Sequence, residues 1–114
     1  MVENPPWKNR FTEEIQRAEN ARNAGNEGMA RVCARRAAGV VAGEYLRIQG
    51  IPLSDPSAYV RLKVLQHLPQ TPAPVKDIVD HFLIRINPDH NLPVQADLIA
   101  EARWLASELL NRSN

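Results

Sequence analysis

Alanines at 30, 34, 38 and 42 recur every four positions between Asn26 and Gly50, and no other feature narrows the fold of this chain as much. On an α-helix that spacing places them along one stripe, where a neighbouring helix meets no side-chain bulk and can come close. The stripe predicts a helical bundle, but it carries no catalytic group. A Gly-Asn-Glu-Gly break at residues 25–28 separates this long helix from a polar one. The polar helix is expected from Trp7 or Phe11 to Ala24, with Phe11, Ile15, Ala18 and Ala21 on its apolar side. Asn26 offers an N-cap oxygen to the second helix and Gly50 stands where a C′ residue would end it, so the two helices are expected to form an antiparallel hairpin.

Downstream, Asp55 followed by Pro56 reads as the start of a third helix that runs to about His67, with Tyr59, Leu62 and Leu65 as its apolar face. The three prolines of Leu68–Pro74 make that stretch a linker. Val75, Ile78, Val79, Phe82, Leu83 and Ile86 then mark a core helix. After the turn Asn87–Pro93, a fifth helix carries Val94, Leu98, Ala102, Leu105 and Leu109 on one stripe, with Ile99 and Ala106 beside it. No segment alternates with period two. The expected fold is all-α, an up-and-down bundle of four to five helices forming one domain over residues 1–114.

A chain of 114 residues can bury enough surface to fold without staples, and its lone cysteine, Cys33, lies mid-helix as a small apolar filler. No run approaches the length needed to span a bilayer, and the first ten residues lack the apolar core of a signal peptide. We therefore expect a soluble, cytoplasmic protein. The net charge of +1 gives no global field to attract nucleic acid. Arginine nevertheless supplies most of the 14 basic residues, and Arg31, Arg35 and Arg36 cluster on the long helix. Two readings stay open for that cluster: a ligand-binding face that grips phosphate or carboxylate, or a solvated face pairing with carboxylates such as Glu27.

The first half of the chain resembles HEPN domains, which are small up-and-down helical bundles. The matching residues are Ala21-Arg22 and Gly25, then Ala30, Ala34, Ala37-Ala38, Leu46 and Gly50. Residues 84–89 and the last helix from Asp97 to Leu110 are similar to the second half. Where many HEPN members carry Glu and then Lys, this chain has Gly39 and Gly43, so two polar groups are missing. Paired glycines weaken a helix by about 1 kcal/mol each. Close approach of another helix would compensate.

The resemblance implies that an Arg–His pair four to six residues apart could cleave RNA without a metal, His moving a proton and Arg stabilising phosphate charge. Arg85 and His90 have such a spacing, as do Arg61 and His67. The residue after each arginine is apolar, Leu62 or Ile86, where the family has a polar one, and Pro88 interrupts the later pair. In the plainer reading Arg85 closes the fourth helix and His90 belongs to a loop, capping the fifth. Asp77, Asp80 and His81 share a polar side of the fourth helix without the further ligands a zinc site needs, so no metal is expected. Glu44 reads as the partner of an arginine. Trp104 lies off the main stripe of its helix and marks either an interface or a contact with the Pro5-Pro6-Trp7 arm. No phosphate loop or nucleophile motif is present and no cofactor is expected. The sequence favours a non-catalytic accessory or binding module, homodimeric, that engages a protein partner, a nucleotide or RNA. The alternative is a toxin-type endoribonuclease.

Overall fold

Five α-helices are the only regular elements among the residues described by the computed structural model, which are 5–51, 53–84 and 96–110. They are α1 (Pro6–Asn23), α2 (Glu27–Ile48), α3 (Ala58–His67), α4 (Ala73–Leu83) and α5 (Leu98–Leu109). The fold is an all-α bundle, as the periodicity predicts. None of the described helices is long and apolar enough to cross a membrane.

The helix ends follow from local chemistry. Gly25 and Gly50 both have φ of 79°, a left-handed conformation that costs glycine little. After α1, the amides of Asn26 and Gly25 donate to the carbonyls of Ala21 and Arg22; after α2, those of Ile51 and Gly50 donate to Leu46 and Arg47. Both ends are Schellman motifs, which satisfy carbonyls the helix leaves unpaired. Asn26 caps α2 through the Met29 amide at 3.0 Å, as expected. The cap of α3 lies two residues later than the sequence suggests. Asp55 accepts from the Ser57 amide at 2.9 Å, and Ser57 itself caps the helix through the Val60 amide. α4 begins at Ala73 and ends at Leu83, so the expected Ile86 falls outside the described residues.

α2 is the central element, packing against α1, α3 and α5, while α4 lies against α3 and α5. Ala30, Ala34, Ala38 and Ala42 are fully buried, with Cys33, Ala37 and Val41 beside them. Their short side chains let three helices close around α2. Leu62, Leu65, Val75, Val79, Phe82, Leu98 and Leu105 supply the bulk of the core. The buried Thr71 hydroxyl donates to the Leu65 carbonyl at 2.8 Å, so the link between α3 and α4 leaves that polar group satisfied.

One ion cluster ties three helix ends together. Arg22 grips both Glu27 oxygens at 3.0 and 2.8 Å and reaches Asp97 at 3.0 Å. Glu27 therefore bonds to Arg22 rather than to the Arg31–Arg36 cluster, of which Arg31 adds only a weaker pull. The Arg22 hydrogen bond holds Glu27 below its ordinary pKa against partial burial. For Asp97 burial works upward, but the Ala100 amide and Arg22 outweigh it and the net shift is down. Both carboxyls are lowered in the folded state, so their contribution is complete above their unfolded values near 4 and is lost as pH falls through the folded ones. Arg22→Met should cost about 1 kcal/mol at pH 7, since these groups are a third to a half exposed and screened by solvent. Urea melts at pH 7 and near pH 3 should show that gap closing; a gap independent of pH would refute the pairing.

Candidate functional site: an arginine-lined cleft

Gly39 and Gly43 lie one helical turn apart on α2, and both face α3. A Cβ at Gly39 would sit 2.7 Å from the Ala58 Cα and closer still to its Cβ. Only glycine lets the start of α3 come so near. At Gly43 the neighbour is the Arg61 guanidinium, with Nη1, Cζ and Nε at 2.8, 2.9 and 3.1 Å from the position a Cβ would take. The two glycines that replace polar residues of the resembled pattern thus form a notch, and its upper half holds an arginine.

This arrangement opens a two-lobed cleft between α1, α2 and α3. One lobe, of about 290 Å³, has an apolar wall of Pro6, Trp7, Val40 and Leu53 facing Arg10, Arg47, Glu44 and Arg61. The other, about 320 Å³, is lined by Arg10, Glu14, Arg36, Arg61 and the N-terminal turn of α3 at Ser57 and Ala58. Arg10 and Glu14 stand four apart on α1, and Arg36, Val40, Gly43 and Arg47 follow one face of α2, so each helix delivers its groups by ordinary helical spacing. The positive end of the α3 dipole adds to the arginine charge. Trp7 is held by an edge contact with Phe11, centroids 6.2 Å apart at 64°.

The arginines differ in how they are partnered. Arg17, Arg22, Arg47 and Arg103 each meet a carboxylate, and the Arg35 Nε donates to the Phe82 carbonyl at 2.8 Å. Among the described arginines, Arg10, Arg31, Arg36 and Arg61 have no such acceptor, and all of these but Arg31 line the cleft. The Arg61 Nε is buried without a hydrogen-bond partner, and so is Glu14 Oε1, whose nearest cation is Arg17 at 3.6 Å. A buried donor and a buried acceptor without hydrogen bonds are costly, and a ligand could satisfy them once the Arg61 side chain shifts to open them to the cleft. Glu44 is engaged by Arg47 at 2.6 and 2.9 Å, as expected, and that hydrogen bond lowers its pKa despite partial burial. It stays a carboxylate.

The sequence-derived candidates are dispersed by the fold. Of Arg31, Arg35 and Arg36, only Arg36 reaches the cleft. Arg35 crosses to the last turn of α4, the role expected of Arg85, and Arg31 stays near Glu27. Arg61 is in the cleft, but His67 is not beside it: six residues at 3.6 per turn put them about 120° apart around α3. His67 is exposed, with Nδ1 2.8 Å from the Lys63 carbonyl. Arg85 and His90 lie outside the described residues, and it is Asp97 that caps α5, through the Ala100 amide at 3.2 Å. His81 meets Glu101 across α4 and α5 at 2.8 Å, while Asp77 and Asp80 are exposed. Trp104 borders an apolar hollow with Pro74 and Ile78, away from Trp7. Arg10 and Glu14 are the residues sequence reasoning missed; nothing in the sequence marks them, because the cleft forms between separate helices.

The chain matches no protein-family profile, no curated protein and no solved structure.

Proposed function

We propose that this chain is a non-catalytic, HEPN-like binding module that acts as a homodimer and holds an anionic group of its partner, whether protein, nucleotide or RNA, in the arginine-lined cleft. The observation that carries the reading is the Arg61 guanidinium in its glycine notch, Nε unpartnered, beside the unpartnered Arg10 and Arg36. The HEPN-like part of this reading rests on the residue pattern of the sequence, with which a five-helix bundle opening on an α1–α2 hairpin is compatible. The exposed Met29, Val32 and Trp104 supply apolar surface for a second copy. Among the described residues that line the cleft, none is a histidine, and Glu44 is held ionised by Arg47. Proton transfer near neutral pH needs a group that titrates there, so these side chains suit binding better than acid–base chemistry.

Arginine Nε–H signals in an NMR titration with inorganic phosphate test this directly. The Arg61 signal should move and saturate, and Arg36→Gln should weaken the binding by roughly tenfold, the loss of one charge-assisted hydrogen bond. A stationary Arg61 signal while other arginines shift would refute the site. In the same preparation we expect a two-fold dimer by sedimentation at tens of micromolar, and no cleavage of single-stranded RNA in chelator. Chelator-resistant cleavage lost in His90→Ala and kept in His67→Ala would establish the ribonuclease instead.

A further inference from the structure

We infer that the partner of this cleft is a protein segment in which a carboxylate stands beside a bulky apolar side chain. The inference rests on the reading of the cleft as an anion site and adds what bears the anion. Three features select a peptide over a nucleic acid.

The first is the charge pattern inside the cleft. Glu14 and Glu44 line its two lobes together with the arginines. A phosphodiester chain carries a charge on every nucleotide and would pass close to both carboxylates, where like charges repel. A single carboxylate can settle on Arg36 and Arg61 and leave Glu14 and Glu44 to uncharged parts of the ligand. The second is the pair of unsatisfied buried atoms. Arg61 Nε–H needs an acceptor and Glu14 Oε1 needs a donor. Once the Arg61 side chain shifts to open these atoms, a peptide unit brings a C=O and an N–H on adjacent bonds, whereas a phosphodiester group itself brings acceptors alone and the donors of RNA sit apart from it on sugars and bases. The third is the apolar wall of Trp7, Val40 and Leu53 in the adjoining lobe, whose volume of about 290 Å³ suits one large side chain. Its Trp7 ring is already engaged by Phe11. Among the described arginines outside the cleft, Arg17, Arg22 and Arg103 are already paired with carboxylates.

Selection of a random dodecapeptide display library on the intact protein tests the inference, with Arg36→Glu as the counter-selected variant because Arg36 is exposed and its change spares the core. Enriched peptides should carry Asp or Glu next to Leu, Ile, Met, Phe or Trp. A synthetic copy should lose about tenfold in affinity, equivalent to 1.4 kcal/mol, when its acid is changed to the amide or when Arg36 is reversed. Glu14→Gln gives the sharper contrast. It should weaken the peptide by about threefold, because a charged acceptor becomes neutral, and should tighten binding of inorganic phosphate and of a single-stranded RNA decamer by removing repulsion. Enrichment equal to that on Arg36→Glu, peptides without a carboxylate, or tighter binding when Glu14→Gln meets the peptide would overturn the inference. If the RNA decamer binds through Arg36 and Arg61 more tightly than any selected peptide, the anion site stands and the peptide falls; if phosphate, RNA and peptide all fail to move Arg61, both fall.

Discussion

Gly39→Ala is expected to destabilise the bundle by about 2–3 kcal/mol, although alanine is the better helix former by about 1 kcal/mol. The added methyl would lie 2.7 Å from the Ala58 Cα, and backbone cannot rotate out of the way as a side-chain tip can. Relief requires the start of α3 to move off α2, and that opens the buried contacts of Leu62 and Leu65 behind it. Gly28 supplies the control on the same helix. A Cβ there meets only the Asn26 Oδ1 at 3.8 Å, so Gly28→Ala should stabilise by about 0.5–1 kcal/mol from helix propensity alone. Ala58→Gly in the Gly39→Ala background should return part of the loss. Urea denaturation with an unchanged m-value reads all three. Equal midpoints for Gly39→Ala and the parent would show that α2 and α3 do not touch there.

That contact marks how far the sequence could be read. The alanine stripe, the Gly25 and Gly50 stops and the apolar positions of α4 and α5 were legible because each is a local statement: a period, a cap, a left-handed turn. Asp55 misled by two residues because an Asx turn and an N-cap use the same side-chain chemistry, and only the fold shows that Ser57 takes the cap. The close approach at Gly39 and Gly43 was foreseeable from the helix weakness those glycines introduce. Which helix approaches was not.

The site itself depended on contacts between residues far apart in the chain. Arg35 and Arg36 are adjacent in sequence yet turn about 100° from one another, so only Arg36 reaches the cleft, while Arg31, one turn before Arg35 on the same face, stays by Glu27. Arg35 finds a carbonyl forty-seven residues away, and no periodicity announces that. Arg61 was noticed for its distance from a histidine, when its relevant partner was a glycine on another helix. Arg10 and Glu14 drew no notice in the sequence. Their meaning comes from the cavity that they line with Arg36 and Arg61 from two other helices, which is a tertiary fact.

Gly43→Ala should separate binding from stability, because the atom in its path differs in kind from the one at Gly39. There the added methyl meets the tip of the flexible Arg61 side chain at 2.8–3.1 Å, not a backbone. The guanidinium can swing outward, so the cost to the fold is small and the helix-propensity gain of about 1 kcal/mol should leave the variant as stable as the parent or slightly more so. The anion site should suffer. Displacing the guanidinium removes its buried Nε–H from the cleft and breaks its alignment with Arg10 and Arg36, and the loss of one charge-assisted contact of about 1.5–3 kcal/mol corresponds to roughly tenfold or more in affinity. Thermal melts and phosphate titration of the same preparation give the two readouts. An Arg61→Met variant, which keeps the apolar stem and removes the charge, should show the same binding loss with similar stability. If Gly43→Ala instead melts well below the parent and binds phosphate normally, Arg61 is a structural residue packed for the fold, and the anion site must be sought on another surface.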